Sequence, residues 1–331
     1  MGRNHVESWA QCPGAEVSAI ADLDEGLTGK LQEQYHIPRV YRNYEDLLAD
    51  GDIDIISNCL PTGMHADSTI NMLQAGCHVL CEKPPAGNTA DARSMADAAR
   101  RAERVLGYAL QRRFSSNVML AREAVVNGSL GEVYYARTGW TRHLPVSKFR
   151  TGWRLDRTLG GGSLLDLGVH MLDSAWYLLG CPRPVSVAAA RSTRMIAWQL
   201  RDTGFAPPTK PADDAMAAVV RFEDGKIVLL ETSFGLWRPT GPNDFCEISG
   251  TAGGVQVNPN PVLLVTEEQP EPKELSDTLT EKPRVRMVAD FLQAAKNGGN
   301  PRASAEHGVT LMQIIDALMQ SADEEREVDV E

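Results

Sequence analysis

The stretch Gly160–Gly180, GGGSLLDLGVHMLDSAWYLLG, decides how the rest of the chain is interpreted. Three glycines at its start free the backbone for a loop. Ser163 is a favourable helix N-cap, and the apolar residues that follow recur with helical spacing. Gly180 and then Pro182 stop the run. The stretch therefore predicts a loop followed by one buried helix.

Three polar residues of this predicted helix share one face. Asp166, His170 and Asp173 follow the spacing i, i+4, i+7, which stacks their side chains in a narrow stripe between leucines and valines. In one interpretation, Ser163 and Asp166 form a capping box and His170 is a buried core histidine. In the other, the carboxylate orients the imidazole for proton transfer. The helix alone leaves both open.

The composition is that of a globular chain with more than one domain. The 331 residues are 43% hydrophobic and 23% charged, which is enough to build two cores. The net charge of -11, with no basic run, disfavours nucleic acid and anionic membranes as partners. The six cysteines contain no C-x-x-C pair, and we find no targeting or membrane-spanning segment. We therefore expect a reduced, cytoplasmic protein.

Strand-like and helix-like segments alternate in the first third of the chain. The strand-like pieces are EVSAIAD, IDIISN, HVLCEK and VLGYA, and the helical patterns between them predict a parallel, doubly wound sheet. After Arg113 the pattern changes to strands joined by turns, typical of an antiparallel sheet. The proline-rich stretch Phe205–Pro211 predicts a surface loop, and the acidic stretch Glu267–Asp277 an exposed connection. The fold class is α/β, with predicted domains 1–112 and 113–331.

Polar residues follow the predicted parallel strands, where such sheets bind ligands. Asp22 ends one strand at the place where a dinucleotide fold binds the adenosine ribose. Leu23 follows it instead of arginine, which favours NAD over NADP. A plain helix cap is the alternative for Asp22, although Asp24 could fill that role equally well. Lys83 ends another strand in CEKPP, where it either faces the ligand or forms an ion pair with Glu82.

Four motifs together resemble the Gfo/Idh/MocA family of glucose-fructose oxidoreductase and inositol dehydrogenase. They are E-K-P at Glu82–Pro84, P-T-x-x-H at Pro61–His65, W-R at Trp153 and Arg154, and GGG-x-L-x-D-x-G-x-H-x-x-D at Gly160–Asp173. The resemblance covers nearly the whole chain. It implies a Rossmann domain and a C-terminal α/β domain whose large, mostly antiparallel sheet builds homodimers or homotetramers. It further implies sugars, inositols or related polyols as substrates, and NAD as cofactor.

The resemblance also assigns roles to individual residues. Lys83, Asp166 and His170 are the implied catalytic residues, with His170 as proton acceptor and Lys83 on the reacting oxygen. The implied cofactor-binding residues are Gly2, Asp22, Leu60, Pro61, His65, Glu82, Lys83 and Arg154; those implied for substrate binding are Lys83, Arg113, Trp153, Asp166 and His170. Hydride transfer from a secondary alcohol needs no metal, although Asp and His at i, i+4 could also ligate zinc.

The chain departs from the family pattern at its start. Gly2 corresponds to the last glycine of a G-x-G-x-x-G turn, so we expect the first strand and two glycines to be missing. The sheet should then either re-pair or stay open at that place. This leaves two further functions open: a catalytically silent sugar-binding or assembly protein, and a redox-neutral NAD-dependent glycosidase. We also expect a cis bond between Lys83 and Pro84.

Overall fold

The computed structural model describes residues 1–143, 152–201, 210–239, 243–276 and 279–331, and the chain divides into two compact units. Unit 1 contains Met1–Ala86, Ala90–Phe114 and Thr280–Val309. Unit 2 contains Gly87–Thr89, Ser115–Leu279 and Thr310–Glu331. The division into domains 1–112 and 113–331 stays a prediction. The segment Thr280–Val309 also belongs to unit 1, which was not predicted. A helical pattern in the sequence does not show against which sheet the helix packs.

Unit 1 contains five short parallel strands in two groups. Strands β1 (Ala19–Ala21) and β2 (Arg39–Tyr41) pair with each other. Strands β3 (Ile55–Asn58), β4 (His78–Cys81) and β5 (Leu106–Tyr108) form a second sheet in the order β3-β4-β5. Within residues 1–143, which are all described, no strand pairing joins the two groups. Of the two expected outcomes, the open sheet is therefore the one observed.

Helices follow the strands of unit 1 as the sequence predicts. They are α1 (Gly2–Ala10), α2 (Glu25–Tyr35), α3 (Tyr44–Asp50), α4 (His65–Gln74), α5 (Thr89–Ala102), α9 (Pro283–Asn297) and the start of α10 (Ala305–Glu324). The short helix α3 was not predicted. Its cap is Asn43, whose side chain accepts from the backbone N–H of Asp46 at 2.8 Å. One hydrophobic cluster packs α9 against the sheet; it contains Cys12, Leu80, Ala109, Phe114, Met287, Val288, Phe291 and Leu292.

Unit 2 contains one nine-stranded sheet in the order β13-β12-β11-β10-β6-β9-β8-β7-β14. The strands are β6 (Val133–Thr141), β7 (Pro184–Ser192), β8 (Ala215–Phe222), β9 (Ile227–Ser233), β10 (Asn243–Gly250), β11 (Gly253–Asn258), β12 (Val262–Thr266), β13 (Lys273–Leu275) and β14 (Val328–Asp329). All neighbours are antiparallel except β6 and β9, which are parallel. The prediction of a large, mostly antiparallel sheet is confirmed.

In the described part of unit 2, α6 (Ser116–Val126) precedes β6, α7 (Val169–Leu178) and α8 (Arg194–Leu200) lie between strands in the sequence, and the second part of α10 precedes β14. Helix α7 packs on the middle of the sheet, where Thr138 Oγ1 donates to the carbonyl of Met171 at 3.3 Å. The expected acidic connection contains strand β13, so it is only partly irregular. Most of the expected proline-rich loop lies outside the described residues. Among those that are described, no helix is long and apolar enough to cross a membrane.

Candidate active site

The strand ends of unit 1 hold Lys83 by its backbone. Glu82 is the next residue after β4, and its backbone N–H donates to the carbonyl of Asn58 at 2.9 Å. Its Oε2 accepts from the backbone N–H of Lys83 at 3.0 Å. The bond between Lys83 and Pro84 is cis, which confirms that prediction. Glu82 thus fixes the backbone from which the Lys83 side chain extends.

His5 is a buried partner of Glu82 that sequence reasoning missed. Its Nε2 lies 3.0 Å from Glu82 Oε1, and its Nδ1 lies 3.0 Å from Ser57 Oγ. Burial alone lowers the pKa of His5, but hydrogen bonds with Cys59 and Glu82 outweigh burial and raise it to about 9. Burial alone raises the pKa of Glu82, but the hydrogen bond and the charge of His5, together with Lys83, outweigh burial and lower it. The two therefore form a charged pair under the Lys83 backbone.

His65 links two loops of unit 1 through its ring. The side chain is buried, with Nδ1 3.0 Å from the carbonyl of Pro84 and Nε2 2.9 Å from the carbonyl of Leu60. Burial lowers its pKa. Since both ring nitrogens face backbone carbonyls, His65 positions the loop that contains Leu60 and Pro61. The predicted role of His65 in cofactor binding would therefore be indirect, through the position of this loop.

Asp22 lies exposed directly after β1, as expected for a ribose-binding carboxylate. The cap of α2 is instead Asp24, whose Oδ1 accepts from Leu27 N at 3.0 Å. Asp22 Oδ1 accepts from the Asp24 backbone at 3.0 Å, which orients the carboxyl group. Gly2 begins α1, and a Cβ there would lie 4.0 Å from Cys59 Cβ, an ordinary contact. An exposed carboxylate that does not serve as the cap fits NAD, which Asp22, Leu60 and Pro61 would help to hold.

In unit 2, the start of the Gly160–Gly180 helix differs from the expected capping box. Leu164–Gly168 form one π-helical turn, and α7 follows it directly. Ser163 makes no side-chain cap; its Oγ donates to Asp213 Oδ2 at 2.6 Å. The same carboxylate oxygen accepts from the Leu164 backbone N–H at 2.9 Å. Asp213, which is distant in sequence and fully buried, therefore satisfies the helix start, and the capping-box interpretation is wrong.

The π-helical turn carries Asp166 into a group of charged side chains. Arg154 Nε donates to Asp166 Oδ2 at 3.3 Å, and Arg142 lies 3.7 Å from the same oxygen. His170 follows on α7 and is buried, with its ring centroid 6.4 Å from that of Trp140. Arg142 and Trp140 were not predicted as site residues. The only sequence signal was their place at the end of a strand, which is too common to single them out.

The remaining predicted residues are placed differently. Asp173 is buried on α7, in keeping with a supporting role. Arg113 is fully buried in unit 1, where it donates to the carbonyl of Arg302 at 2.6 Å and lies 3.2 Å from His307 Nδ1. These contacts support a structural role, and substrate binding by Arg113 stays a prediction. The side chain of Trp153 lies outside the described part. Within that part, no group of three His, Cys, Asp or Glu side chains could hold a metal ion.

Comparison with known proteins gives a consistent result over the full length. Residues 1–110 match an oxidoreductase family with an NAD-binding Rossmann fold, and residues 122–330 match the C-terminal α/β domain of the same family. D-glucoside 3-dehydrogenase of Escherichia coli (strain K12) is 32% identical over 330 residues, 96% of this chain and 91% of the relative. Myo-inositol 2-dehydrogenase of Thermotoga maritima is 25% identical, covering 100% and 96%.

A solved structure supports the fold. Levoglucosan dehydrogenase in complex with NADH and L-sorbose superposes with a TM-score of 0.88 at 22% identity, over 100% of this chain and 96% of that one. The two family matches and the relative at 32% identity go further than the fold. The chain is therefore a member of the Gfo/Idh/MocA oxidoreductase family, with an NAD-binding Rossmann domain and relatives that are sugar and polyol dehydrogenases.

Proposed function

We propose that this chain oxidises a secondary hydroxyl group of a sugar, an inositol or a related polyol, with NAD as hydride acceptor. The observation that supports the proposal is the placement of Asp166 on the π-helical turn and of buried His170 at the start of α7, behind a helix start that buried Asp213 fixes. The relatives named above act on a glucoside and on myo-inositol. Both are polyhydroxylated, which is the substrate class proposed here.

Three residues carry the chemistry in this proposal. His170 accepts the hydroxyl proton as the carbon–hydrogen bond breaks. Asp166 contacts the substrate and stabilises the charged imidazole. Lys83 donates to the reacting oxygen and stabilises the negative charge that develops there. NAD, when bound, takes up the hydride, and Asp22, Leu60, Pro61 and Lys83 are the proposed contacts on this chain. Gly2, His65, Glu82 and Arg154 complete the proposed cofactor site.

Kinetics with single variants test these roles. The formation of NADH is followed by absorbance with methyl glucosides and myo-inositol as first substrates. His170→Asn should lower kcat/KM by about 10²-fold or more, because the proton acceptor is lost. Asp166→Asn and Lys83→Met should also lower kcat. The matched control is His36→Asn, since His36 ends α2 in the left-handed conformation that asparagine tolerates.

The same assay separates the two alternatives that the sequence leaves open. Products that form without net NADH would favour the redox-neutral glycosidase. No product, together with no change in nicotinamide fluorescence on titrating NADH, would favour the catalytically silent protein. A His170→Asn variant as active as the wild type would refute the assigned role of His170.

We further propose that the outer face of the nine-stranded sheet forms a homodimer or homotetramer. A groove on this face contains Arg137 and Glu231 but is otherwise lined mostly by small and apolar residues, which include Ala188, Ala190, Ala217, Val219, Leu229 and Phe245. A second copy of the same sheet would bury them. Ala217→Arg should shift the mass in solution to that of a monomer, whereas Val126→Glu on α6 should not. A monomeric wild type would contradict the proposal. Location in the cytoplasm stays a prediction from the sequence.

A further inference from the structure

His5 on α1 is a buried side chain that the proposed reaction does not use. Only 2% of it is exposed, and both ring nitrogens have a partner: Nε2 lies 3.0 Å from Glu82 Oε1, and Nδ1 lies 3.0 Å from Ser57 Oγ. His5 is in neither of the groups proposed to bind the cofactor or the substrate. Its contact with Glu82 nevertheless connects it to the backbone of Lys83.

Glu82 joins His5 to Lys83 because its two carboxylate oxygens have different partners. Oε1 faces His5, and Oε2 accepts from the backbone N–H of Lys83 at 3.0 Å. An ionised carboxylate accepts at both oxygens, whereas a protonated one carries a hydrogen on one of them. A hydrogen bond to a charged acceptor is also about twice as strong as one to a neutral acceptor. The hold on the Lys83 backbone therefore depends on the charge of Glu82.

The surroundings of Glu82 work against that charge. Its side chain is 6% exposed, and burial alone raises its pKa. The hydrogen bond and the charge of His5 are the largest effects that oppose burial, and Lys83 adds to them. His5 itself has a pKa of about 9, so it stays protonated at neutral pH and supplies this charge. Without His5, Glu82 would take up a proton at a higher pH.

The other ionisable groups beside this pair are the same in the wild type and in any variant of His5. They lie at the ends of β3 and β4 and at the start of α4, and they are Cys59, Cys81, Lys83 and His65. Burial lowers the pKa of His65 and raises that of Cys81, so both favour their neutral forms. His5 is therefore the cation whose removal changes the charge of Glu82 most directly.

We propose that His5 is a positioning residue, which keeps Glu82 ionised so that its second oxygen holds the backbone of Lys83 in the place that the reaction needs. The inference rests on the proposed function, since it takes Lys83 as the residue that donates to the reacting oxygen. A displacement of about 1 Å at such a residue can cost about 10²-fold in rate. His5 thus influences the rate through Glu82, although it touches neither substrate nor cofactor.

Measuring kcat over a range of pH tests the proposal, because the expected effect of His5→Gln depends on pH. Glutamine can still bond to Glu82 but brings no charge, so Glu82 should become protonated as the pH falls. The ratio of wild-type kcat to His5→Gln kcat should therefore grow about tenfold or more from pH 8.5 to pH 5.5. Groups that both proteins share, such as His170, cancel in this ratio. His5→Asn is the second variant, to be used if His5→Gln does not fold.

Two controls separate positioning from a general loss of structure. Trp9→Phe removes the indole N–H that donates from the same helix to Ser57 Oγ at 2.8 Å, and its kcat ratio to the wild type should stay constant over this range. In Glu82→Gln the side chain at position 82 cannot titrate, so adding His5→Gln to it should give a ratio that is independent of pH. A ratio that changes with pH in either control would overturn the proposal.

Hydrogen exchange of the Lys83 amide tests the inference without NAD or substrate. In NMR spectra with lysine-selective isotope labelling, the Lys83 signal is the one that is missing from Lys83→Arg. The protection of this amide should be the same at pH 5.5 and pH 8.5 in the wild type, whereas in His5→Gln it should be about tenfold lower at pH 5.5.

The two measurements keep the inference separate from the proposed function. Equal protection of the Lys83 amide in the wild type and His5→Gln, or a kcat ratio that is constant with pH, would refute the inference and leave the oxidoreductase proposal standing. If no sugar or polyol yields NADH, the oxidoreductase proposal fails, and the exchange result alone decides whether His5 holds Lys83 through Glu82.

Discussion

At the scale of single residues, His5 makes the stability of unit 1 depend on pH. Its pKa is raised from 6.5 to about 9 in the folded chain, so the folded state holds the proton more tightly than the unfolded state. The stabilisation is complete below about pH 6.5 and is lost as the pH rises through 9. Its size is about 3 kcal/mol, from about 1.4 kcal/mol for each pKa unit.

Urea denaturation between pH 6 and 9.5 checks this prediction. The free energy of unfolding of the wild type should fall over this range, more steeply than that of His5→Gln. Glutamine can still bond to Ser57 and Glu82 but does not titrate. His36→Gln, which changes an exposed histidine, should follow the wild type. Equal pH profiles for the wild type and His5→Gln would show that the pair is not charged.

The sequence predicts that Asp166 and His170 are neighbours on one helix, but it missed the residues around them, for a physical reason. Helical spacing indicates which side chains share a face, so the two could be proposed together from the chain alone, and their joint role stays a prediction. Asp213 and Arg142 reach the same place through sheet pairing over long sequence separations, and no local pattern records that. His5 was missed likewise, because its partner Glu82 is on another element.

At the scale of elements, Gly162 is a close-packing position before the π-helical turn. Its φ is 117°, and a methyl group there would overlap the Asp213 carboxylate that holds Ser163 and Leu164. Gly162→Ala should therefore displace Asp213 and lower both kcat and the melting temperature. Gly180, with φ 92° and nothing within 4 Å, is the matched control.

Gly162→Ala and Gly180→Ala should differ in their effect on kcat. Gly180→Ala adds only backbone strain, of about 1–2 kcal/mol, and should leave kcat unchanged. Gly162→Ala adds the clash and moves the turn that carries Asp166. The comparison needs thermal melting together with kinetics at saturating substrate. The same loss of kcat in both variants would contradict this account of the turn.

The elements that the sequence predicted well are the long, strongly patterned ones. The helical patterns between the predicted strands of the first third of the chain correspond to α2, α4 and α5. The π-helical turn was not predicted, because a single added residue leaves the apolar pattern of Leu164 and Leu167 intact. Short elements such as α3 and β13 carry too few residues to show a period.

At the scale of the whole molecule, a residue late in the chain should control the stability of the N-terminal sheet. Phe291 is 1% exposed in the cluster that contains Leu80 and Phe114. Phe291→Ala should destabilise unit 1 by about 3–5 kcal/mol, because it leaves a cavity. Hydrogen exchange should accelerate at the amides of β4 and β5.

Phe245 supplies the matched control in the other unit. It is 4% exposed on β10, and Phe245→Ala should accelerate exchange in β6 and β10 while leaving β4 and β5 protected. If Phe291→Ala left β4 and β5 unchanged, the assignment of Thr280–Val309 to unit 1 would be wrong.

Because Thr280–Val309 belongs to unit 1, the core of this unit can be completed only late in the synthesis of the chain. When Phe114 leaves the ribosome, the first five strands exist, but the helix that covers their cluster has not been made. At about 5–20 residues per second, the wait for Phe291 is on the order of ten to thirty seconds. Throughout that time, Leu80, Ala109 and Phe114 cannot pack against the apolar residues of α9. The nascent N-terminal half should therefore be a client of ribosome-associated chaperones, and should be released only once α9 has emerged.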